Sequence, residues 1–285
     1  MNQEEEFSKW DTVILPKRGL LELHLSEVWK YRDLLRMFVK RDFVTYYKQT
    51  ILGPVWFFIQ PIFTTLTYML IFGNVAKIST DGMPQILFYM SGVTAWNYFA
   101  ECFNKTSTVF KDNQAIFGKV HFPRLITPLS IVVSNLIKFG IQLLLFVLIL
   151  GYYLWSGTSI MPNSALLLLP VLIALMAGLG LGAGMLITSM TTKYRDLVFL
   201  LQFGIQLLMY ATPVIYPLST IPEKYKWIIM ANPMTGIIET FRYAFLGSGQ
   251  LNWQLLGYDV AVTASLLILG TIVFNKTERT FMDTV

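Results

Sequence analysis

The sequence is poor in the residues on which most enzymes and small scaffolds rely. Among 285 residues there is one cysteine, Cys102, and there are two histidines, which excludes an internal disulfide framework and a multi-cysteine metal site. Charge is scarce: 14% of residues are charged, where a soluble domain carries about 25%. No G-x-x-x-x-G-K-[ST] run is present, so the chain has no P-loop with which to cradle nucleotide phosphates. No G-x-S-x-G nucleophile elbow occurs, and Asp112 and Asp196 stand alone rather than in the acidic cluster expected of a sugar transferase acting on lipid phosphates. The opening MNQEEEF is acidic and lacks the apolar core of a secretory signal peptide. The net charge of +5 arises without any dense Lys/Arg cluster, which argues against a nucleic-acid partner.

Apolar residues dominate, at 54%, and the few charges are unevenly placed: residues 1–54 hold 17 of the 39 charged side chains. A helical crossing of a bilayer needs about 20 mainly apolar residues. The weakly charged runs supply six: 49–76, 82–103 (interrupted by Glu101), one within 125–155 (with Lys138), a fourth after residue 164, 197–216, and 253–274 (with Asp259). The third and fourth come from a stretch of 54 uncharged residues, 139–192, divided by the polar knot SGTSIMPNS at 156–164. The expected architecture is an all-α integral membrane protein. It has a cytoplasmic segment with an amphipathic interface helix at 1–48, a six-span domain at 49–274 and a cytoplasmic tail at 275–285. Six crossings put both ends on one side. The head, the loops 104–124 and 191–196, and the tail together hold 17 of the 22 Lys/Arg, which makes that side cytoplasmic.

Residues 213–247 fit neither a crossing nor a solvated loop. Four prolines (213, 217, 222 and 233) interrupt them, yet WIIMANPMTGIIETFRYAFLG is strongly apolar. Two short re-entrant helices on the outer side are expected, the second opening with Asn232 as N-cap and Pro233 at the first helical position. In the head, Val28, Tyr31, Leu34, Leu35, Phe38, Val39 and Tyr46 fall on one helical face, with Lys30, Arg36, Lys40 and Lys48 on the other; Asp42 breaks the pattern. Such a helix lies in the membrane interface, either as a plain anchor or as one that also touches a partner or gates an entrance.

Three charges fall inside spans. Lys138 either pairs with Glu101 near the cytoplasmic side or snorkels toward the interface. Asp259 is expected to be hydrated near the outer end of the last span. Gly178, Gly180, Gly182 and Gly184 form two overlapping G-x-x-x-G registers, suited to close packing within the chain or to a dimer seam. Aromatic residues crowd the first, second and fifth spans; those at span ends suit interfacial belts, whereas Phe63 and Tyr210 lie deeper and suit surfaces that slide against sugar faces.

The segments YYKQTILGPVWFFIQP (46–61), SGVTAWNYF (91–99), KVHFPRLITPLS (119–130), KYRDL (193–197), TPVIYPLSTIP (212–222), NPMTGIIETFRYAFLG (232–247) and FNKTERTFMDTV (274–285) occur in one order. Together they resemble the membrane subunit of bacterial polysaccharide ABC exporters, which move lipid-linked O-antigen, capsule or teichoic acid chains. The resemblance runs from about residue 20 to the end of the sequence.

It implies a permease of the bacterial inner membrane that is not itself an enzyme. It would work as two copies with two nucleotide-binding ATPase subunits, which bind the ATP and magnesium, and its substrate would be a polysaccharide linked to undecaprenyl pyrophosphate. Asn113, Ile116, Phe117, Lys119, His121 and Arg124 then match the loop that couples to the ATPase, with Ile116 and Phe117 as docking knobs. Lys193, Tyr194, Arg195 and Asp196 match a second ATPase contact. Trp56, Gln60, Phe63, Tyr210 and Tyr216 match the channel lining. Lys138 departs from the family, whose members often carry an acid or a neutral residue there. Other readings are an exporter of a drug or small lipid with the same architecture, and an ion-coupled transporter acting alone, which needs Glu101 or Asp259 as an essential acid.

Overall fold

The structure, a computed structural model, describes residues 25–48, 50–120, 122–194 and 196–284. Residues 1–24, and with them His24, lie outside the described residues, as do His121 and Arg195 and the side chains of residues 25–27, 46–47 and 279–284. Among the described residues there are helices and no strand.

The amphipathic stretch forms α1 (Leu25–Lys30) and α2 (Arg32–Tyr47), parted by a turn at Tyr31. Phe38 is buried, Val28, Leu34, Leu35 and Val39 are half-buried, and Tyr31 is exposed, since the turn takes it off the apolar face. The misplaced Asp42 has a local partner: the Arg41 guanidinium donates to its Oδ1 at 2.9 Å and lies over the Phe38 ring, 4.6 Å from the centroid.

A 3₁₀ turn, Gly53–Val55, leads into α3 (Trp56–Tyr68), and Met69–Val75 continues it as a π-helix. There follow α4 (Gln85–Ser107), the short α5 (Val109–Asp112) and α6 (Gln114–Phe117), and α7 (Ile126–Trp155). A 3₁₀ turn, Ser164–Leu168, opens α8 (Leu169–Lys193). The chain then forms α9 (Leu197–Tyr210), α10 (Glu223–Met230), α11 (Pro233–Leu246) and α12 (Trp253–Thr284). Four helical stretches among the described residues are long and apolar enough to cross a membrane: Gly53–Val75, Ile126–Trp155, Ser164–Lys193 and Trp253–Glu278.

The other two expected crossings depart from that description for different reasons. With 23 residues, α4 is long enough, but Ser91, Thr94, Asn97, Glu101 and Asn104 make it polar. Residues 87–96 are all buried, because α3, α7, α8, α9 and α11 pack around this helix. A helix sheathed by protein needs no lipid-compatible surface, so small polar residues are tolerated on it. Cys102 is buried in the same core. The second departure, α9, has 14 residues and stops at Tyr210 rather than running to 216. Beyond it Pro213 and Pro217 bring no N–H to a helix and the backbone leaves helical geometry. The last helix, in turn, passes residue 274 without a break and ends at Thr284.

Both glycine registers of α8 are used inside the chain. A Cβ on Gly182 would meet the Leu266 backbone of α12 at 2.8 Å, and one on Gly178 would meet Thr263 at 2.6 Å. On the opposite face, Cβ atoms on Gly180 and Gly184 would meet Cys102 and Thr106 of α4 at 2.7 and 2.6 Å. Missing side chains thus let α8 touch two neighbours at backbone distance. On α12, Gly270 faces the Gly182 carbonyl in the same way.

The stretch 212–215 is irregular yet buried, with Thr212 and Val214 fully enclosed, so its backbone carbonyls need partners. α11 supplies them. It opens on Asn232, whose Oδ1 accepts from the Met234 N–H at 3.0 Å while its amide donates to Thr212 Oγ1 at 2.7 Å, and it closes on Gly247 at φ +72°. Arg242, 2% exposed, donates to the carbonyls of Pro213 at 2.5 Å and Val214 at 2.6 Å. Its guanidinium lies over the Phe88 ring at 3.8 Å, and Nη1 is 3.5 Å from Glu239. Gly92 of α4 leaves room for this group: a Cβ there would stand 2.8 Å from Arg242 Nη2 and from the Val214 carbonyl.

Substitution at Gly182 should separate α8 from α12. Gly182→Val is expected to cost ~1–3 kcal/mol or more through overpacking against backbone that cannot yield. Gly204→Ala on α9, where nothing lies within 4 Å of the built Cβ, should be neutral or stabilising by about 0.5–1 kcal/mol. Thermal unfolding of the detergent-solubilised variants checks this; equal melting temperatures for the two would contradict it.

Candidate functional site

At one end of the bundle, termed the basic end here, α2 meets the α5–α6 loop, the start of α7, the turn after α8 and the end of α12. A compact aromatic cluster holds these pieces together. Phe110 stacks on Phe274 of α12 with centroids 4.9 Å apart, Phe117 packs against Phe110 at 5.6 Å and Phe122 at 5.8 Å, and Phe122 meets Phe38 of α2 at 5.6 Å. Arg124 caps the cluster: its guanidinium lies 5.4 Å from the Phe117 centroid and donates to the Glu278 carbonyl at 2.9 Å.

The geometry turns the two expected docking knobs toward the protein. Phe117 is 4% exposed and points inward, and Ile116 is half-buried against the same cluster. The backbone hydrogen bonds of this loop are local, from Asp112 N–H to the Thr108 carbonyl through Val120 N–H to the Ile116 carbonyl, so its apolar side chains serve as anchors toward the rest of the protein. Asn113 is also turned inward; its amide donates to the Val109 carbonyl at 3.0 Å and its Oδ1 accepts from Arg41 of α2 at 3.5 Å. The outward surface consists of Lys111, Gln114, Ala115, Lys119 and Val120, the last 57% exposed. Val120 is thus the exposed apolar knob that sequence reading passed over, between Lys119 and His121, which it had named.

The turn after α8 stands beside this loop, because Thr191 donates to the Ser107 carbonyl at the end of α4 and α5 packs on α8. Lys193, Tyr194 and Asp196 are exposed, with the Lys193 ammonium 5.3 Å from the Tyr194 ring centroid. Two segments about 80 residues apart in sequence therefore form one face.

The aromatic candidates divide into two groups. Trp56, Gln60 and Phe63 follow one another along an exposed face of α3, with Phe63 64% exposed, while Phe57 on the other face is buried. Tyr210, 43% exposed, and Tyr216 lie at the far end of α9, where the Tyr216 hydroxyl donates to the Tyr210 carbonyl at 3.0 Å. The two groups approach through Tyr68, whose hydroxyl is 3.4 Å from Met209 Sδ. Both α3 and α9 lean on α4.

Lys138 and Glu101 do come together, with Nζ 3.8 Å from Oε2, at a cavity of about 50 Å³ between α3, α4 and α7. Asp259, expected at a hydrated helix end, is enclosed by protein instead. It is fully buried, and neither carboxylate oxygen has a hydrogen-bond partner among the described residues. It is pressed against Gly236 of α11, a position where a Cβ would collide with its Oδ2. Its hydrated placement followed from distance to the end of the last span alone, and α11 covers that end. Sequence reading also missed Arg242, to which it gave no role. The available signal was a lone arginine inside an otherwise apolar helical stretch.

Because Phe117 is an internal anchor, Phe117→Asp should lower accumulation and melting temperature, with a cost in the ~3–5 kcal/mol range typical of losing a buried aromatic ring. Val120→Asp should leave both near the wild-type values. Fluorescence-detected size-exclusion chromatography of both variants distinguishes them, and a monodisperse, fully stable Phe117→Asp protein would contradict the assignment.

A family model described as ABC-2 type transporter matches residues 33–246. The chain is 28% identical over 251 residues to an O-antigen export system permease protein RfbA of Klebsiella pneumoniae, covering 88% of this chain and 94% of that protein. It is 28% identical over 264 residues to the protein of the same name in Myxococcus xanthus, covering 92% and 98%. To the polysialic acid transport protein KpsM of Escherichia coli it is 19% identical over 242 residues, covering 85% and 92%. With the family match running from α2 through α11, this multi-pass helical membrane protein belongs to the ABC-2 type transporter family.

Proposed function

We propose that the chain is the permease subunit of an ATP-driven exporter that moves a lipid-linked polysaccharide across the inner membrane. The observation that carries this reading is the near full-length similarity to two proteins named as O-antigen export permeases, supported by a third named for polysialic acid transport. Nucleotide chemistry belongs to a separate subunit, since the sequence has no P-loop. The face built from Gln114, Lys119, Val120, Lys193, Tyr194 and Asp196 receives that ATPase, and Phe117, Asn113 and Arg124 transmit its movement inward to α2 and α12. ATP and magnesium are bound by the partner, two ATPase copies serve two copies of this chain, and the exposed faces of α3 and α9 line the shared conduit.

In the membrane, α4 is a fifth crossing sheathed by protein, and α9 with residues 211–216 is the sixth. The pair α10 and α11 is re-entrant from the outer side. Six crossings return both ends to the cytoplasm, with the basic end facing the ATPase. Cysteine labelling checks this. In a Cys102→Ser background, Asp112→Cys should react only with permeant reagents in intact cells and Met161→Cys, at a position 74% exposed, with impermeant ones. The reverse pattern would invert the topology.

Phe63 and Tyr210 are exposed in the single chain, so truncating them opens no internal cavity. The double variant Phe63→Ala, Tyr210→Ala should therefore accumulate normally and support ATP hydrolysis by its co-purified ATPase, while polysaccharide export falls severely. Co-purification of a nucleotide-binding subunit whose hydrolysis depends on this chain tests the assignment as a whole. A well-folded double variant with full export would remove these rings from the conduit.

A further inference from the structure

We propose that the polar cavity between α3, α4 and α7 binds the phosphate group of a membrane lipid. Its lining includes Gln60 of α3, Asn97 and Glu101 of α4, and Asn135, Lys138 and Gln142 of α7. Four carboxamides, a cation and an acid are a costly set of groups to place at membrane depth, and such groups mark sites where a ligand is handled. On α4 the residues Asn97, Glu101 and Lys105 recur every fourth position and so form one stripe; on α7 Asn135, Lys138 and Gln142, spaced by three and four, form another. Where the stripes meet, Lys105 lies beside Lys138. Two ammonium groups share the neighbourhood of one carboxylate, Glu101, whose contact with Lys138 at 3.8 Å is long against the roughly 2.7–2.9 Å of a direct charge-assisted bond. Two lysine side chains face one carboxylate, the neutral donors are amides, and the ligand chemistry that fits is an anion with more than one acceptor oxygen, which a phosphate ester supplies.

Size and access agree with this ligand. The cavity measures about 50 Å³, several times the roughly 10–15 Å³ that one water needs on the same measure. That admits a phosphate group and excludes a sugar ring. Lys138 sits twelve residues beyond the first residue of α7, about 18 Å along the helix axis, and Gln60 at the cavity rim belongs to the exposed face of α3. A group that reaches the site therefore enters from the bilayer side. Lys105 also lines a larger groove of about 490 Å³ with Arg41, Asp42, Thr45, Asp112 and Asn113, under the interface helix α2. A headgroup in that groove would stand with its phosphate within reach of Lys105 before passing to Lys138. The proposal rests on the transport reading above only in naming the cytoplasmic leaflet as the source.

Two lipids offer the same chemistry, an anionic phospholipid of the bulk membrane and a polyprenyl phosphate carrier. Titration of the purified full-length chain in neutral detergent with phosphatidylglycerol, polyprenyl phosphate or diacylglycerol, followed by native mass spectrometry and thermal unfolding, tests the site. Saturable binding and a raised melting temperature are expected with one or both phosphate lipids and not with diacylglycerol; the lipid that acts at lower concentration is the physiological source. Lys138→Gln should weaken the effect by about tenfold or more, the factor expected for one lost charge-assisted hydrogen bond, and Lys138→Arg should retain it. Should Lys138→Gln fail to fold, Lys105→Gln and Gln142→Leu carry the same test through a smaller loss. Wild-type titration by these variants, or an equal response to diacylglycerol, would overturn the proposal. The measurement needs neither ATPase nor polysaccharide, so its failure would leave the transport assignment standing.

Discussion

Arg242 carries a positive charge into the interior of the bundle, and the backbone of an irregular turn receives it. The carbonyls of Pro213 and Val214 are held at 2.5 and 2.6 Å, with Phe88 and Ser91 of α4 closing the site and Glu239 balancing the charge. Both sides need this bond. Non-helical backbone at membrane depth must have its carbonyls satisfied, and a buried guanidinium must have its donors engaged. Breaking such a buried arrangement by removing one partner costs about 3–5 kcal/mol. A lysine could not replace the arginine, since one ammonium lacks the fork that spans two adjacent carbonyls. The end of α9, the helix α11 and the central helix α4 are thereby fixed to one another, and Tyr210 and Tyr216 take their places from that arrangement.

The rest of the bundle is organised around α4 and α8. α8 presents glycines on two faces, one against α4 and one against α12, so three helices approach at backbone distance. α12 then links the two ends of the molecule. Near its start Asp259 packs on Gly236 of α11, and toward its finish Phe274 stacks on Phe110 and Glu278 receives Arg124. Any displacement of the α5–α6 loop must act on α12 through the Phe110, Phe117 and Phe274 rings, because interiors packed at this density transmit strain rather than absorb it. The loop proposed to receive the ATPase is thus joined by packed side chains to the helix that borders α11.

Two sets of polar groups inside the bundle contrast. Ser91, Ser130, Ser134 and Thr263 return their hydroxyls to carbonyls of their own helices, an arrangement that makes them inexpensive to bury. Gln60, Asn97, Glu101, Lys138 and Gln142 gather instead around one cavity with contributions from three helices. Grouping of the second kind has no structural necessity, since apolar side chains would fill the same space at no desolvation cost. That contrast is what gives the Lys138 site a functional reading.

The helical class, the amphipathic segment before the first crossing, the Asn232–Pro233 start of α11 and the family were legible in the sequence. Each depends on a local pattern: hydropathy over about 20 residues, a helical period, a cap, or matched strings of residues. The pairing of Glu101 with Lys138 was readable as one of two alternatives, because depth within each span can be counted along the chain. Burial could not be counted that way. Phe117 and Val120 both lie in a short polar loop, and only the packing of α2, α7 and α12 decides that the first points inward and the second outward. Asp259 looked hydrated because it is near a helix end, and α11 covers that end. Arg242 passed unnoticed because its partners are carbonyls 28 and 29 residues away, which have no side-chain signature. Hydropathy and period record what a residue prefers as its surroundings; which neighbour supplies them is set by contacts between segments distant in sequence, and those exist only once the helices have packed.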